Sequence, residues 1–204
     1  MENQRILSEE KELRELLRGH RFRRLNNIHP KIFDSITSTQ NFLQAEIEPK
    51  EEGDLVVTRI QTEGKGREGR AWISDRGGLW MTLLLKPPRP QIIEDLQLIS
   101  TRSIVNALEK FGLSGCSVKL PNDVYFSGKK IAGVLVDAQI QGAESIVFLG
   151  IGIDVNNDPS KNKAISEIAT SFYAETRHIL DLNSLTCQLL VNLDELYSEA
   201  IQSS

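Results

Sequence analysis

Cysteine is scarce in this sequence of 204 residues, which contains only Cys116 and Cys187. Small secreted proteins that depend on disulfides need several cysteines at regular spacings, and structural zinc sites need closely spaced cysteine or histidine pairs. Both cysteines stand in apolar or helical contexts, where reduced and buried thiols are expected. The scarcity therefore argues against a disulfide scaffold and against a zinc site.

The sequence also lacks long apolar runs and any excess of positive charge. No apolar stretch reaches the ~20 residues that a transmembrane helix needs. The first residues, Met-Glu-Asn-Gln-Arg, lack the apolar core of a signal peptide. The formal net charge of −4 does not indicate a general nucleic-acid binder. We therefore expect a cytoplasmic protein with no nucleic-acid partner and no membrane partner.

The length suits one sizeable domain preceded by a short segment. Residues 8–18 predict a helix that Ser8 caps, and a small basic linker follows. A helix-turn-helix module needs about three short helices, and the ~30 residues before the domain leave no room for one. We predict an N-terminal helix and linker over residues 1–30 and a single domain over residues 31–204.

Hydrophobic patterning predicts the fold class. β-Branched and apolar runs between turn signals predict strands at residues 31–36, 55–60, 79–85, 116–119, 124–126, 131–136 and 145–155. Apolar residues at helical spacing predict helices from Ser38 or Thr39 to Pro49, with Ile47 inward, and at residues 91–111 and 183–200. Hairpins rather than crossover helices join most strands, which predicts an α+β fold with a largely antiparallel β-sheet.

A glycine-rich, cationic loop lies between two predicted strands. Residues 61–72, here called the cationic loop, read Gln-Thr-Glu-Gly-Lys-Gly-Arg-Glu-Gly-Arg-Ala-Trp. Glycines let backbone N–H groups approach a ligand, and neighbouring Lys and Arg suit a phosphate or carboxylate. The spacing of its glycines fits the dinucleotide fingerprint, but turn-like residues follow where that motif requires a helix. Taken alone, the loop is as compatible with a hairpin that binds nothing as with an anion site.

Four segments, in order, resemble the signatures of biotin protein ligases. They are residues 37–40 (Thr-Ser-Thr-Gln), the cationic loop, residues 119–124 with 129–135 (Lys-Leu-Pro-Asn-Asp-Val and Lys-Lys-Ile-Ala-Gly-Val-Leu), and residues 150–157 (Gly-Ile-Gly-Ile-Asp-Val-Asn-Asn). The resemblance implies a biotin ligase catalytic domain over residues 31–204, with a mixed sheet flanked by helices, of the type shared by biotin and lipoate ligases and class II aminoacyl-tRNA synthetases. Some biotin ligases carry an N-terminal DNA-binding domain, and they normally add a small C-terminal β-barrel domain. We expect both to be absent, because little sequence precedes the predicted domain and Ser204 comes right after its last predicted helix.

The same resemblance implies an activity. Such a ligase uses ATP and Mg²⁺ to activate biotin as biotinyl-5′-AMP. It then transfers biotin to a lysine of a biotin carboxyl carrier protein domain in a biotin-dependent carboxylase or decarboxylase. A homodimer is compatible with the family. Two alternatives stay open: a lipoate or octanoate ligase of the same fold, and a non-catalytic module that binds biotin or biotinyl-AMP.

The resemblance assigns roles residue by residue, with Lys130 and Arg67 as the catalytic pair. The residues aligned with the biotin site are Ser38, Thr39, Gln40, Gln61, Lys65, Gly66, Arg67, Trp72, Lys130 and Gly133. Those aligned with the ATP site are Lys65, Arg67, Arg70, Trp72, Asn122, Asp123, Lys130 and Asn156. Asp123 is also the candidate Mg²⁺ ligand, although it could instead orient the incoming amine. Lys129 is interpreted as an ordinary exposed lysine of a hairpin.

Three positions depart from the family pattern. Lys65 replaces an arginine, which keeps a point charge but loses the bidentate fork. Leu120 replaces a tryptophan, which changes packing at most. Asp154 replaces an asparagine and would be unfavourable if its charge faced a phosphate. The glycines of the cationic loop also predict that residues 63–70 are disordered until biotinyl-AMP binds.

Overall fold

Seven strands form one mixed sheet in the computed structural model, which describes residues 2–45, 50–141 and 144–203. The strands are β1 (His29–Ile36), β2 (Asp54–Gln61), β3 (Leu79–Leu85), β4 (Ser117–Lys119), β5 (Asp123–Phe126), β6 (Lys129–Gln141) and β7 (Glu144–Ile153). Their order across the sheet is β1-β2-β3-β7-β6-β5-β4. β1 pairs with β2 in parallel, and the other neighbouring pairs are antiparallel. The predicted fold class is confirmed.

Helices cover both faces of this sheet. In the described residues they are α1 (Glu2–Arg18), α2 (Thr39–Ala45), α3 (Ile92–Lys110), α4 (Phe172–Thr176) and α5 (Leu182–Ser203). α3 and α5 pack on the main core, whereas Leu43 of α2 packs with Phe148 on the opposite face. Side chains alternate along a strand, so β3 places Leu83 in the main core and Leu84 under α2. None of the helices in these residues is long and apolar enough to cross a membrane.

Two helices differ from the prediction. α1 begins at Glu2 instead of Ser8, so Ser8 lies inside the helix and does not cap it. The extension has a physical reason, because Ile6 joins Leu13 and Leu17 against the core. α4 was not predicted, although Ser171 caps it by accepting a hydrogen bond from the Ala174 amide at 3.2 Å. The predicted apolar contact of Ile47 and the helix end at Pro49 lie outside the described residues.

The N-terminal segment is fastened to the last helix. The buried Asp194 carboxylate of α5 accepts hydrogen bonds from the backbone amides of Arg23, Arg24 and Leu25 at 2.5, 2.9 and 2.7 Å. Three amide donors satisfy a carboxylate that would be costly to bury alone. The α1 helix and its linker therefore share the core of the larger domain, while the boundary at residue 30 stays a prediction.

Candidate functional site

One cavity brings together nearly all of the predicted site residues. It has a volume of about 270 Å³ and lies between the cationic loop, the start of α2, and strands β6 and β7. The predicted residues that line it are Ser38, Thr39, Gln40, Gln61, Lys65, Gly66, Arg67, Arg70, Trp72, Asn122, Asp123, Lys130 and Gly133.

Asn156 is the exception among the predicted residues. Its side chain accepts a hydrogen bond from the Leu180 amide at 2.9 Å and donates one to the Leu180 carbonyl at 2.8 Å. These bonds use both ends of the amide to hold the segment before α5. The geometry therefore gives no support to an ATP contact at Asn156.

Glycines on two paired strands make room for the cavity. Gly133 of β6 lies opposite Gly152 of β7 in the antiparallel register, and both lie beneath the Trp72 indole. A Cβ atom on Gly133 would come within 2.9 Å of the indole, and one on Gly152 within 2.7 Å. A Cβ on Gly150 would approach the Gln40 side-chain oxygen to 2.4 Å. A side chain at any of these three glycine positions would therefore displace Trp72 or Gln40.

A buried polar wall closes the α2 end of the cavity. The Gln61 side-chain oxygen accepts hydrogen bonds from the Thr39 amide and hydroxyl at 2.8 and 3.1 Å, and its nitrogen donates to the Ser74 hydroxyl at 2.8 Å. Thr39 also shares a hydrogen bond with Thr82 at 2.8 Å. Gln40 donates to the Phe148 carbonyl at 3.2 Å. Because these side chains hold one another, the wall is preorganised for a polar ring.

The cationic loop is held by hydrogen bonds within it and to its neighbours, while its disorder without ligand stays a prediction. The Gly66 amide donates to the Arg70 carbonyl at 2.7 Å, and the Trp72 amide donates to the Gly64 carbonyl at 2.8 Å. Lys65 donates from Nζ to the Asn41 oxygen at 2.5 Å, and Arg67 donates from Nη1 to the Asn122 oxygen at 3.0 Å. These side-chain contacts fasten the loop to α2 on one side and to residues 120–123 on the other.

Lys130 is held more rigidly than the loop cations. Its backbone amide donates to the Ile168 carbonyl at 2.8 Å, and its carbonyl accepts from the Thr170 amide at 2.9 Å. Its Nζ lies 2.7 Å from Asp123 Oδ1 and 4.8 Å from the centre of the Trp72 ring. The ion pair and the ring face together hold a cation at the cavity wall.

Asp154 is a buried carboxyl that also lines the cavity. Its residue is 4% exposed, and it accepts a hydrogen bond from Asn157 Nδ2 at 2.6 Å. Burial raises its pKa to about 7, against the lowering effects of the Asn157 bond and of the Lys130 charge, while Asp75 adds to the rise. A protonated Asp154 carries no charge, so near neutral pH the departure from asparagine costs less than a fixed negative charge would.

We expect Asp154→Asn to raise the thermal midpoint at pH 8 and to change little near pH 4. The folded pKa of about 7 lies above the ordinary value of 3.8, so between these two values the unfolded chain has released the proton that the folded protein still holds. Stability therefore falls over that window in the wild type, by up to about 4 kcal/mol, and not in the variant. Thermal melts from pH 4 to pH 8 measure the difference.

Asp158→Asn is the control for this experiment, because its carboxylate is exposed and bonded to Ser160. Hydrogen bonding by Ser160 lowers the pKa of Asp158. Replacing the Asp158 carboxylate therefore cannot raise the thermal midpoint at high pH as Asp154→Asn does. An Asp154→Asn melting curve that parallels the wild type at every pH would contradict a raised pKa.

The cavity contains one carboxylate suited to a metal ion. Asp123 lies at its wall with a side chain that is 23% exposed. In the part of the chain that the structure describes, no group of three or more His, Cys, Asp or Glu side chains could hold a metal by itself. Mg²⁺ at phosphate sites commonly needs only one or two carboxylates, because the phosphates supply other ligands. Asp123 therefore fits a metal that arrives with a nucleotide.

Sequence reasoning missed several residues of the site. Ser74 and Thr82 complete the polar wall, Gly150 and Gly152 open the floor, and Ile168 lines one side. The Gly-x-Gly alternation in a predicted strand was a usable signal, because glycines on one face of a strand mark a close approach. The others carry no local signal, since tertiary pairing alone brings them to the cavity.

Comparison with known proteins agrees with this geometry. The model of the biotin/lipoate A/B protein ligase family matches residues 32–154. The bifunctional ligase/repressor BirA of Bacillus subtilis (strain 168) is 34% identical over 152 residues, which cover 72% of this chain and 47% of that protein. The biotin–protein ligase of Homo sapiens is 30% identical over 151 residues, which cover 70% of this chain and 20% of that protein.

A solved structure extends the likeness to three dimensions. The biotin protein ligase from Aquifex aeolicus, in complex with biotin and ATP, superposes with a TM-score of 0.74 at 32% identity. The match covers 86% of this chain and 73% of that chain. The chain studied here spans about half the length of the Bacillus relative.

Proposed function

This chain belongs to the biotin/lipoate A/B protein ligase family, and we propose that it is an ATP-dependent biotin ligase. It activates biotin as biotinyl-5′-AMP and transfers the biotinyl group to a lysine of a biotin carboxyl carrier domain. The relatives named biotin–protein ligase and the ligase crystallised with biotin and ATP support this choice of substrates.

The observation that carries the proposal is the pair of cations at one cavity. Arg67 reaches it from the cationic loop and Lys130 from β6, and both are held by two neighbouring residues at the start of β5, Asn122 and Asp123. The polar wall of Thr39 and Gln61 closes the cavity's α2 end. A ligand with a bicyclic ring and a carboxylate tail would place the ring against the polar wall and the carboxylate between Arg67 and Lys130.

The first step brings an anion onto a polyanion. An oxygen of the biotin carboxylate attacks the α-phosphorus of ATP, and the bond from that phosphorus to pyrophosphate breaks. Repulsion between the two anions opposes this approach, and charge builds up on the α-phosphate oxygens. Fixed cations and N–H donors aimed at that charge stabilise it more than mobile water does. We assign this work to Arg67 and Lys130.

The second step needs a neutral amine and a protected anhydride. The carrier lysine attacks the biotinyl carbonyl carbon, the carbon–oxygen bond to AMP breaks, and the amine proton leaves with a base. The cationic loop covers the ligand and limits attack by water. Asp123 is placed either to orient the amine or to share a metal with the phosphates, and both assignments stay open.

Under the second of these assignments, Asp123 would be the protein ligand of a Mg²⁺ ion that accompanies ATP. When bound, the metal would neutralise part of the phosphate charge. The cytoplasmic location and a homodimer also stay predictions.

One incubation tests the proposed function. The protein is mixed with ATP, Mg²⁺, biotin and a biotin carboxyl carrier domain, and the mass of the carrier is followed. A biotinyl adduct on the carrier, formed faster than on surface lysines of a bystander protein, is the expected result. A parallel reaction with lipoate separates a lipoate ligase from a biotin ligase. Binding of biotin without any adduct would identify a non-catalytic module and overturn the proposal.

A further inference from the structure

Residues 120–123 hold both catalytic cations. Arg67 Nη1 donates to Asn122 Oδ1 at 3.0 Å, and Lys130 Nζ lies 2.7 Å from Asp123 Oδ1. The first acceptor is neutral, whereas the second is a carboxylate. The two contacts therefore differ in the strength with which they hold a cation.

Asn122 is itself fixed to the sheet. Its Nδ2 donates to the Val134 carbonyl at 2.8 Å, and its own carbonyl accepts from the Val134 amide at 2.9 Å. The residue is 9% exposed. Its side-chain oxygen is thus presented at a constant position at the cavity wall, and a loop that bonds to it is bonded to β6.

A neutral acceptor suits a cation that must change partners. A guanidinium bonds more strongly to a carboxylate or phosphate than to an amide oxygen, because both partners are then charged and can form two parallel bonds. Arg67 can therefore exchange Asn122 for an anionic ligand without first breaking an ion pair. An aspartate at the same place would compete with the ligand.

We propose that Asn122 is the positioning residue for Arg67: their contact, here called the latch, holds the cationic loop at the cavity wall, and the guanidinium leaves Asn122 for an anionic ligand. Asn122 is otherwise assigned only a predicted contact to ATP, and the latch adds a role toward the loop. The latch rests on the contacts of this chain alone. Its consequence for biotinyl-AMP rests on the proposed function.

Amide hydrogen exchange on the ligand-free protein tests the latch directly. The reporting amides are those of Gly66, Arg70 and Trp72, which are bonded within the loop. Asn122→Ala should speed their exchange about tenfold, as expected for one lost hydrogen bond to a charged group. Arg67→Ala should speed it similarly, and the double variant should show no further gain, because both changes break the same contact. Amides of β7 in the same sample serve as the internal control.

Asn122→Asp separates the latch from a general loosening of the turn. Aspartate keeps the acceptor for Arg67 but loses the donor to Val134. Slow exchange in Asn122→Asp and fast exchange in Asn122→Ala support the latch. Equal loosening in both variants, no change in Asn122→Ala, or multiplied effects in the double variant would each overturn it.

A kinetic arm connects the latch to the reaction. Asn122→Asp should raise KM for ATP about tenfold or more while Arg67 is present, because the phosphates must displace a carboxylate. In the Arg67→Gly background, Asn122→Asp should raise KM for ATP less. The aspartate then acts only through its negative charge and no longer competes with the phosphates for Arg67. An equal effect in both backgrounds would overturn the exchange of partners. If the wild type forms no biotinyl-AMP, the proposed function fails, while the hydrogen-exchange arm still decides the latch.

Discussion

Lys130→Ala is expected to lower the rate of biotinyl-AMP formation by roughly two to three powers of ten. Lys130 offers a cation fixed by the backbone bonds to Ile168 and Thr170, so its position costs little reorganisation when charge develops. An interaction made mainly in the transition state affects the rate more than the binding of biotin. The affinity for biotin should therefore change much less than the rate of pyrophosphate release.

Lys129→Ala is the matched control for this prediction. Lys129 is the preceding residue of the same strand, but its Nζ donates to the Ser166 carbonyl at 3.3 Å and does not line the cavity. Its removal should leave pyrophosphate release near the wild-type rate. A normal rate in Lys130→Ala, or an equal loss in Lys129→Ala, would show that the catalytic assignment is wrong.

The ion pair with Asp123 allows another reading of a slow Lys130→Ala variant. Without its partner, the Asp123 carboxylate would remain near the phosphates and repel them. Asp123→Asn in the Lys130→Ala background removes this charge. If the double variant recovers most of the rate, repulsion caused the loss. If it stays slow relative to Asp123→Asn alone, the loss belongs to the missing cation, which is the result that we expect.

Local signals made most of the site predictable from the sequence. The glycines and cations of the cationic loop stand next to one another in the chain, so their chemistry is visible without a fold. The order of the four segments then placed Gln61, Asn122 and Lys130 in one site before any tertiary contact was known. The strands were predictable because apolar and β-branched runs alternate with turn residues.

Tertiary packing decided what the sequence could not show. The burial of Asp154, and hence its pKa, depends on the elements packed around it and not on its neighbours in sequence. The contacts of Lys65 with Asn41 and of Arg67 with Asn122 join distant segments. Leu120 is 71% exposed, so the change from tryptophan alters a surface rather than the core. The exposure of Leu120 depends on the path of the backbone around this residue, which the amino-acid composition does not predict.

Arg67→Gly is expected to release biotinyl-AMP into solution. The substitution removes the contact between the cationic loop and Asn122 and also adds a flexible residue to the loop. Both effects favour opening of the cavity before a carrier arrives. A released acyl-adenylate reacts with any accessible lysine, so biotin should appear on a bystander protein while pyrophosphate release continues.

Arg67→Ala is the matched control, because it removes the guanidinium without adding a glycine to the loop. Bystander labelling in Arg67→Ala as high as in Arg67→Gly would assign retention of the adenylate to the guanidinium and not to loop stiffness. Labelling at the wild-type level in Arg67→Ala would assign it to stiffness instead.

The two catalytic variants should therefore fail in opposite ways. Lys130→Ala stops the reaction before the adenylate exists, so neither carrier nor bystander is labelled. Arg67→Gly makes the adenylate and loses it, so the bystander is labelled at the carrier's expense. Pyrophosphate release and bystander biotin, measured on the same samples, separate a defect in chemistry from a defect in retention. If Arg67→Gly labels no bystander although it releases pyrophosphate, the loop does not retain the adenylate through Arg67.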